Sequence, residues 1–319
     1  MKFGITVGNF GQYGKHGGAL DQVRIAESAE RLGFDSVWVH DHLFMPATIR
    51  ARYPYNAEGR AGFAYRQDIY DPLAMMAAIA VRTKRVSIGT SVLIIPYRNP
   101  LVLAKMLATL DQLSHGRIIL GCGVGWMTEE FEALGIGDYY PVRGTVTDEW
   151  LRICIAMWTG EGPVSYEGRF HSFSNVGARP LTVQKPHIPL WIGGKRDVAV
   201  RRVARLGSGY HTISSTAAEL KEELALLRPE LERAGRDPSE IVISMLGPQL
   251  VIGGEPMPDR PMVAGSKQQI IDQLGAYRDA GLDHALSTPR FANLRGPLTP
   301  EHTLEAMQYM SEEILPALR

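Results

Sequence analysis

The sequence predicts an α/β protein that folds as a single (β/α)8 TIM barrel. Eight short apolar segments rich in β-branched residues recur along the 319 residues, and a segment with helical spacing of apolar residues follows each of them. No change in composition marks a linker between two halves, which favours a closed barrel over a doubly wound open sheet. We therefore expect one domain over residues 1–319. The predicted strands are Lys2–Gly8, Ser36–Val39, Val86–Ile95, Arg117–Cys122, Leu190–Ile192, Gly209–Ile213, Ile241–Met245 and Asp283–Ser287.

The first helices are marked by their end signals. A helical pattern at Leu20–Leu32 stops at Gly33, a residue type that commonly ends helices. Asp71 and Pro72 are the residue types of a helix N-cap and of a first helical position, so a second helix begins there. Between them, residues 44–70 show no period. A loop of that length in a compact enzyme is typically a lid or a binding loop.

Residues 86–126 have the clearest strand–helix–strand pattern. The two apolar runs flank an amphipathic segment that is too long to be a turn. A crossover of this length joins parallel strands, and nearly continuous apolar strands indicate a sheet buried on both faces. Ligands of parallel α/β folds bind at the carboxyl ends of strands. Ser91, Val92 and the glycines of 121–125 are therefore candidate site residues.

The second half of the chain repeats the alternation, with insertions. Three insertions are predicted, at about 44–70, 160–189 and 247–265; we interpret the second as a surface hairpin with a linker and the third as a Gly/Pro-rich loop. The later helices are predicted at Gly144–Trp158, Arg196–Leu206, Ala217–Ala234, Ser266–Ala280 and about Pro300–Leu315.

The composition excludes several classes of protein. Lys and Arg number 34, as do Asp and Glu, and this balance gives no overall attraction to nucleic acid or to an anionic membrane. No apolar run reaches the length of about eighteen residues that spans a bilayer. Cys122 and Cys154 lie in apolar segments, and no His, Cys, Asp or Glu spacing suggests metal ligands. We expect a cytoplasmic protein with a small-molecule substrate, no disulfide and no metal.

Asp41 and His42 are the predicted catalytic residues. They follow the second strand at its carboxyl end, where barrel enzymes place catalytic groups. Histidine can act as an acid or a base near neutral pH, and an adjacent carboxylate can orient it or bind a ligand nitrogen. The alternative is a loop histidine satisfied by its neighbours. His40 has a weaker claim, because strand alternation points it opposite to Asp41.

The segment GCGVGW at Gly121–Trp126 is a candidate ligand-binding turn. It lacks the final glycine of a dinucleotide-binding motif, so we interpret its glycines as allowing the backbone to approach a planar ligand. Trp126 is available to flank a ring. Gly123, Val124, Gly125 and Trp126 are therefore predicted cofactor-binding residues. The alternative is a plain tight turn with a core tryptophan.

A second glycine pair opens a predicted phosphate site. Gly193 and Gly194 precede Lys195 and Arg196 at the start of a helix, which combines backbone N–H groups, the helix dipole and cations. The alternative is a bare turn. The predicted cofactor-binding residues of this region are Gly193, Gly194, Lys195, Tyr210, His211 and Thr212.

The sequence resembles the luciferase-like monooxygenase superfamily, which includes flavin-dependent monooxygenases and coenzyme F420-dependent oxidoreductases. The resemblance covers essentially the whole chain. It rests on the segments ERLGFDSVWVHDH, GTSVLIIPYRNPLVLAKMLATLDQLSHGRIILGCGVGW, RPLTVQKPHIPLWIGG and RLGSGYHTIS. It implies a TIM barrel and a homodimer. It also implies a non-prolyl cis peptide bond between Ser91 and Val92, behind the deazaflavin ring.

The same resemblance implies roles for single residues. Asp41 would lie near the ring, His42 would donate a proton, and the Gly193 and Tyr210 segments would hold the ribityl phosphate side. One departure is Trp126, which stands where the sugar-phosphate dehydrogenases of the family have a catalytic glutamate. Glu129 and Glu130 follow a turn later, either as partial substitutes or as a solvated helix start. We include Glu129 among the predicted cofactor-binding residues.

Two cofactors follow from the resemblance, F420 and FMN. F420 carries an oligoglutamate tail, which the arginines of the long loop could meet, although a solvated basic loop is the alternative. We expect an F420-dependent oxidoreductase that transfers a hydride to or from a small, apolar organic substrate. The alternatives are an FMN-dependent monooxygenase that uses reduced flavin and O2, and a non-catalytic cofactor-binding barrel. The arginines are Arg50, Arg52, Arg60 and Arg66.

Overall fold

The structure, a computed structural model, describes residues 1–54, 58–62, 65–214, 216–247, 249–255, 262–294 and 296–319. Eight parallel strands pair in the order β3-β2-β1-β8-β7-β6-β5-β4, and pairing of β3 with β4 closes the ring. The predicted (β/α)8 barrel is confirmed. The strands are β1 Lys2–Thr6, β2 Ser36–Val39, β3 Ser87–Thr90, β4 Ile118–Gly123, β5 Leu190–Gly193, β6 Gly209–Thr212, β7 Val242–Leu246 and β8 His284–Ser287.

Helices surround the barrel. Asp71 caps α2 as predicted, since its side chain accepts a hydrogen bond from the Ala74 N–H at 2.9 Å. The last α-helix ends at Tyr309, earlier than predicted, and a π-helical turn follows it. No helix among the described residues is long and apolar enough to cross a membrane. The helices are α1 Ala19–Arg31, α2 Pro72–Arg82, α3 Pro100–Leu113, α4 Thr128–Ala133, α5 Arg143–Thr159, α6 Arg196–Leu206, α7 Ala217–Arg233, α8 Lys267–Asp279 and α9 Pro300–Tyr309.

The three insertions differ in structure. The described residues of 44–70 form neither helix nor strand, as predicted, and 160–189 contains the predicted antiparallel hairpin. The prediction of a loop at 247–265 is wrong. Strands Gln249–Ile252 and Met262–Gly265 pair in parallel there, and Pro289–Phe291 completes a small sheet. These strands form because their alternate apolar residues, such as Leu250 and Val263, pack against the core.

Large side chains fill the barrel below the carboxyl ends of its strands. Trp38 and Trp191 lie with ring centroids 5.2 Å apart, in contact with Ile119 and Leu286 from two further strands. The strands carry three glycines beside these indoles, Gly4, Gly89 and Gly209. A Cβ atom at any of the three would overlap an indole ring, which explains why glycine is present there.

Two histidines inside the barrel make its stability depend on pH. Burial lowers the pKa of His211 to about 3 and that of His284 to about 3, from an ordinary value of 6.5. Both rings bond to buried serine hydroxyls, His284 to Ser36 at 2.7 Å and His211 to Ser244 at 2.7 Å. Between about pH 3 and pH 6.5 the unfolded chain therefore binds more protons than the folded chain. The free energy of unfolding is therefore expected to decrease as the pH falls below about 6.5.

This expectation is checked by urea unfolding at several pH values from neutral to 5. Replacing His284 with Gln removes one group that titrates on unfolding and keeps a polar partner for Ser36. The variant is expected to lose less stability than the native chain over the same pH interval. An equal loss in the two proteins would show that His284 does not contribute to the pH dependence.

Candidate active site

A cavity of about 370 Å³ opens at the carboxyl ends of the strands. Its volume lies in the range of small-ligand sites, and its walls are mainly apolar and aromatic. Most predicted site residues meet there, although they come from distant parts of the chain. The lining residues are Phe10, His40, Asp41, His42, Tyr53, Ser91, Val92, Ile94, Gly123, Val124, Gly125, Trp126, Gly193, Gly194, His211, Ile213 and Leu246.

One wall of the cavity is the bulge that follows β3. The predicted cis peptide bond between Ser91 and Val92 is present. The Ser91 N–H donates to the Val39 carbonyl at 2.7 Å, and the Ser91 hydroxyl bonds to His211 Nε2 at 2.8 Å. His40 Nδ1 lies 2.6 Å from the Ser91 carbonyl oxygen. Three hydrogen bonds of Ser91 therefore fix the backbone at this point.

The bulge also determines the tautomer of His40. Because a carbonyl oxygen only accepts hydrogen bonds, His40 Nδ1 carries the proton and Nε2 is an acceptor. Burial lowers the pKa of His40, so the ring is neutral. Phe10 stacks on it with centroids 5.5 Å apart. His40 lines the cavity beside Asp41, which is a stronger position than the sequence suggested.

The predicted glycines pack against the bulge. The Val92 side chain lies between Gly123 on β4 and Gly193 on β5, and a Cβ atom at Gly193 would lie 2.7 Å from Val92 Cγ1. A Cβ atom at Gly121 would likewise overlap the carbonyl oxygen of Thr90. The glycines thus leave room for the bulge beside the cavity that both glycine segments line.

Replacing Gly123 with Ala is expected to destabilise the protein by about 1–3 kcal/mol, because the new methyl group overlaps a Val92 methyl group. Adding Val92→Ala in the same chain removes that methyl group and is expected to recover most of the loss. Urea unfolding of the two single variants and the double variant measures this coupling. Simple addition of the two single effects would contradict the packing described here.

Asp41 forms a buried ion pair that the sequence did not reveal. Arg98 donates from Nη1 to Asp41 Oδ2 at 2.7 Å and from Nη2 to Oδ1 at 3.0 Å, and the Ile94 N–H also donates to Oδ2. Arg98 further contacts Asp71, the cap of α2. Burial raises the pKa of the Asp41 carboxyl group, and the pairing with Arg98 opposes this effect. The carboxylate is therefore held rigidly at the cavity wall.

His42 is held by Glu130, which was not among the predicted site residues, although it was one of two candidate substitutes for the family's catalytic glutamate. His42 Nδ1 bonds to Glu130 Oε2, and the same carboxylate accepts from the Leu43 N–H and the Tyr97 hydroxyl, each at 3.0 Å. Glu130 is fully buried, so the alternative of a solvated helix start is wrong for it. Helical spacing could have indicated that Glu130 is buried, because it lies three residues after the buried Met127.

Aromatic side chains lie beside His42. Its ring lies edge-on to Trp126, with ring centroids 5.9 Å apart, and the ring of Tyr53 in the long loop lies edge-on to Trp126 with centroids 5.1 Å apart. Trp126 also lines the cavity. Tyr55 and Phe63, two further aromatic residues of the loop, lie outside the described residues.

Four predicted cofactor-binding residues do not line the cavity. Lys195 Nζ lies 2.6 Å from Glu219 Oε1, and the Tyr210 hydroxyl donates to Glu223 Oε2 at 2.5 Å. The Arg196 N–H at the start of α6 donates to the same Glu223 at 2.9 Å. The predicted phosphate cradle is thus occupied in part by carboxylates of this chain. The other two residues are Thr212, which is buried, and Glu129.

Glu129 faces the long loop. One of its carboxylate oxygens accepts from the backbone N–H groups of Arg50 and Ala51, at 2.6 and 3.1 Å. This contact attaches the loop to α4. A separate cavity of about 550 Å³ lies within the loop, and Arg50, Arg52 and Arg60 all line it. Arg66 does not line it and donates instead to the Tyr65 hydroxyl at 2.8 Å.

Comparison with known proteins agrees with this architecture. An F420-dependent glucose-6-phosphate dehydrogenase from Gordonia bronchialis is 34% identical over 220 residues, which are 67% of this chain and 60% of the relative. An F420-dependent secondary alcohol dehydrogenase, solved with an F420-acetone adduct, has a TM-score of 0.79 at 20% identity, covering 100% of this chain and 99% of its own.

A flavin enzyme shares the same fold. The oxygenating constituent of 3,6-diketocamphane monooxygenase from Pseudomonas putida, a type II Baeyer-Villiger monooxygenase solved with FMN, has a TM-score of 0.73 at 18% identity, covering 99% and 98% of the two chains. A family model described as luciferase-like monooxygenase matches residues 1–255. The chain therefore belongs to the luciferase-like monooxygenase family of oxidoreductases.

Proposed function

We propose that the protein is an F420-dependent oxidoreductase that transfers a hydride between the deazaflavin and a small, uncharged organic substrate such as an alcohol or a ketone. The observation that carries this proposal is the His42–Glu130 contact at the wall of an apolar cavity beside the Ser91–Val92 bulge. This arrangement places an acid–base group next to a site suited to a planar ring.

The cavity fits a flat, tricyclic cofactor. Its bulge is backed by glycines whose Cβ atoms would fill the space behind it, and Phe10 and Trp126 supply aromatic faces. His40 offers a neutral acceptor to an N–H or O–H group of the ligand. Bound F420 would accept or donate the hydride. Residues of the bulge and of both glycine segments would hold it.

His42 is proposed to exchange the proton that accompanies the hydride. In the direction of alcohol oxidation, His42 Nε2 takes the hydroxyl proton, and in the reverse direction it returns the proton to the carbonyl oxygen. Nε2 is the ring nitrogen that does not contact Glu130. The largely apolar lining of the cavity, with the cofactor bound in it, would limit the access of water to this exchange.

The charges around the cavity favour an uncharged substrate. No Lys or Arg is present among the lining residues within the described part of the chain. Arg98 lies behind the wall, and Asp41 and Asp71 both pair with it. Glu130 adds a further buried carboxylate. A phosphorylated or carboxylated substrate would therefore lack a cationic partner and would lie near these negative charges.

The loop arginines support F420 rather than FMN. Arg50, Arg52 and Arg60 come together around one cavity, although they are separated in sequence. An oligoglutamate tail offers several carboxylates to such a set, and several weak ion pairs acting together can contribute appreciably. FMN has no such tail, so these contacts would favour the deazaflavin.

The proposal is tested by an anaerobic assay with F420. Neutral alcohols are expected to reduce F420, which is followed by loss of its absorption, whereas glucose 6-phosphate is expected to give no reaction. Turnover that requires reduced FMN and oxygen would instead identify a flavin monooxygenase. Turnover of glucose 6-phosphate with F420 would overturn the part of the proposal that concerns substrate charge.

A further inference from the structure

We propose that Glu130 is a positioning residue that fixes the tautomer of His42 and so makes Nε2 the nitrogen that exchanges the proton, and that Tyr97 holds the Glu130 carboxylate in place. This inference rests on the proposed function for its catalytic meaning. The tautomer itself can be measured without any substrate.

The donors around Glu130 determine where the protons lie. Leu43 N–H can only donate, and it occupies Glu130 Oε1. Tyr97 occupies Oε2 together with His42 Nδ1. Burial and the neighbouring Glu130 both raise the pKa of Tyr97, so its phenol keeps the proton and donates. A carboxylate oxygen accepts, which leaves the His42 proton on Nδ1.

The other charged and titratable groups near His42 do not replace this contact. Asp41 and His40 flank it on the same strand end, and each interacts with it electrostatically. Asp41, however, is bonded to Arg98, and His40 is bonded to the Ser91 carbonyl group. Glu130 therefore remains the group that bonds to Nδ1 of the ring.

Replacing Glu130 with Gln is expected to invert the tautomer. The Leu43 N–H requires an oxygen at the Oε1 position, so the glutamine carbonyl faces Leu43 and its NH2 group faces His42. That NH2 group donates to Nδ1, which moves the proton of the neutral ring to Nε2. The base that accepts the substrate proton is then lost, and a neutral amide no longer stabilises the protonated ring.

The experiment combines two readouts on the full chain. The tautomer of neutral His42 is read from its ¹⁵N chemical shifts in the free protein, with His42→Gln used to assign the signals. The pH dependence of kcat/KM for a neutral alcohol is then measured with F420. Both are determined for the native chain, Glu130→Gln, Tyr97→Phe and Glu305→Gln. Glu305 lies on α9 and is exposed.

We expect an Nδ1–H tautomer in the native chain and in Tyr97→Phe, and an Nε2–H tautomer in Glu130→Gln. Turnover should fall about 10- to 100-fold in Glu130→Gln, with its acid limb moved to lower pH, and less than about tenfold in Tyr97→Phe. Glu305→Gln should match the native profile. An Nε2–H tautomer in the native chain, or an unchanged tautomer in Glu130→Gln, would overturn the inference. An inactive native chain with the expected tautomers would instead count against the proposed function alone.

Discussion

Replacing Arg98 with Met is expected to lower the free energy of unfolding by about 3–5 kcal/mol, one of the largest single effects in the protein. The substitution keeps the length of the side chain but leaves Asp41, only 3% exposed, without its bidentate partner. A buried carboxylate without a counter-charge is costly, and one remaining bond from the Ile94 N–H does not compensate for it. Urea unfolding at neutral pH measures the loss.

Two controls separate charge from packing. Adding Asp41→Asn to Arg98→Met removes the uncompensated charge and is expected to restore more than half of the loss. Asp71→Asn removes the other carboxylate that contacts Arg98, but its side chain is 41% exposed and asparagine still caps α2. That variant is expected to lose less than about 1 kcal/mol. A loss below about 1 kcal/mol in Arg98→Met would show that the pair contributes little.

Replacing His42 with Ala is expected to reduce kcat by about 10²- to 10⁴-fold, the usual contribution of a general acid or base. Cofactor affinity should change little, because the predicted cofactor-binding residues of the bulge and the glycine segments remain. Glu130 keeps two hydrogen-bond donors in this variant, Leu43 and Tyr97, so the fold should survive.

This expectation is checked by single-turnover and steady-state rates, with fluorescence titration of F420 as the measure of binding. Circular dichroism and thermal unfolding of the same samples show whether the variant is folded. A folded His42→Ala protein with native kcat would remove His42 from the mechanism. Loss of F420 binding in a folded variant would assign His42 to the cofactor rather than to proton exchange.

Local patterns predicted the barrel, because each strand carries its own apolar run and each helix its own end signals. Helix α6 matched its predicted range, and Asp71 capped α2 as expected. The loop predicted at 247–265 failed for a physical reason. Its strands Gln249–Ile252 and Met262–Gly265 are short and pair in parallel, and neither is stable without the other and the core beneath them.

The site was predicted in part, because its residues follow strand ends that all face the same way. What a single sequence did not supply was pairing between distant elements, as in Arg98 with Asp41 and Glu130 with His42. Strand alternation alone would have excluded Tyr210 from the predicted cofactor-binding residues. His211 lines the cavity, so its neighbour Tyr210 faces the helices, where it bonds to Glu223.

The choice of cofactor is the central claim, and direct titration tests it most simply. Purified protein is titrated with F420 and, separately, with FMN, and binding is followed by cofactor fluorescence. We expect micromolar or tighter binding of F420 and binding of FMN that is weaker by at least about tenfold, a difference of about 1.4 kcal/mol. Micromolar binding of FMN without binding of F420 would contradict it.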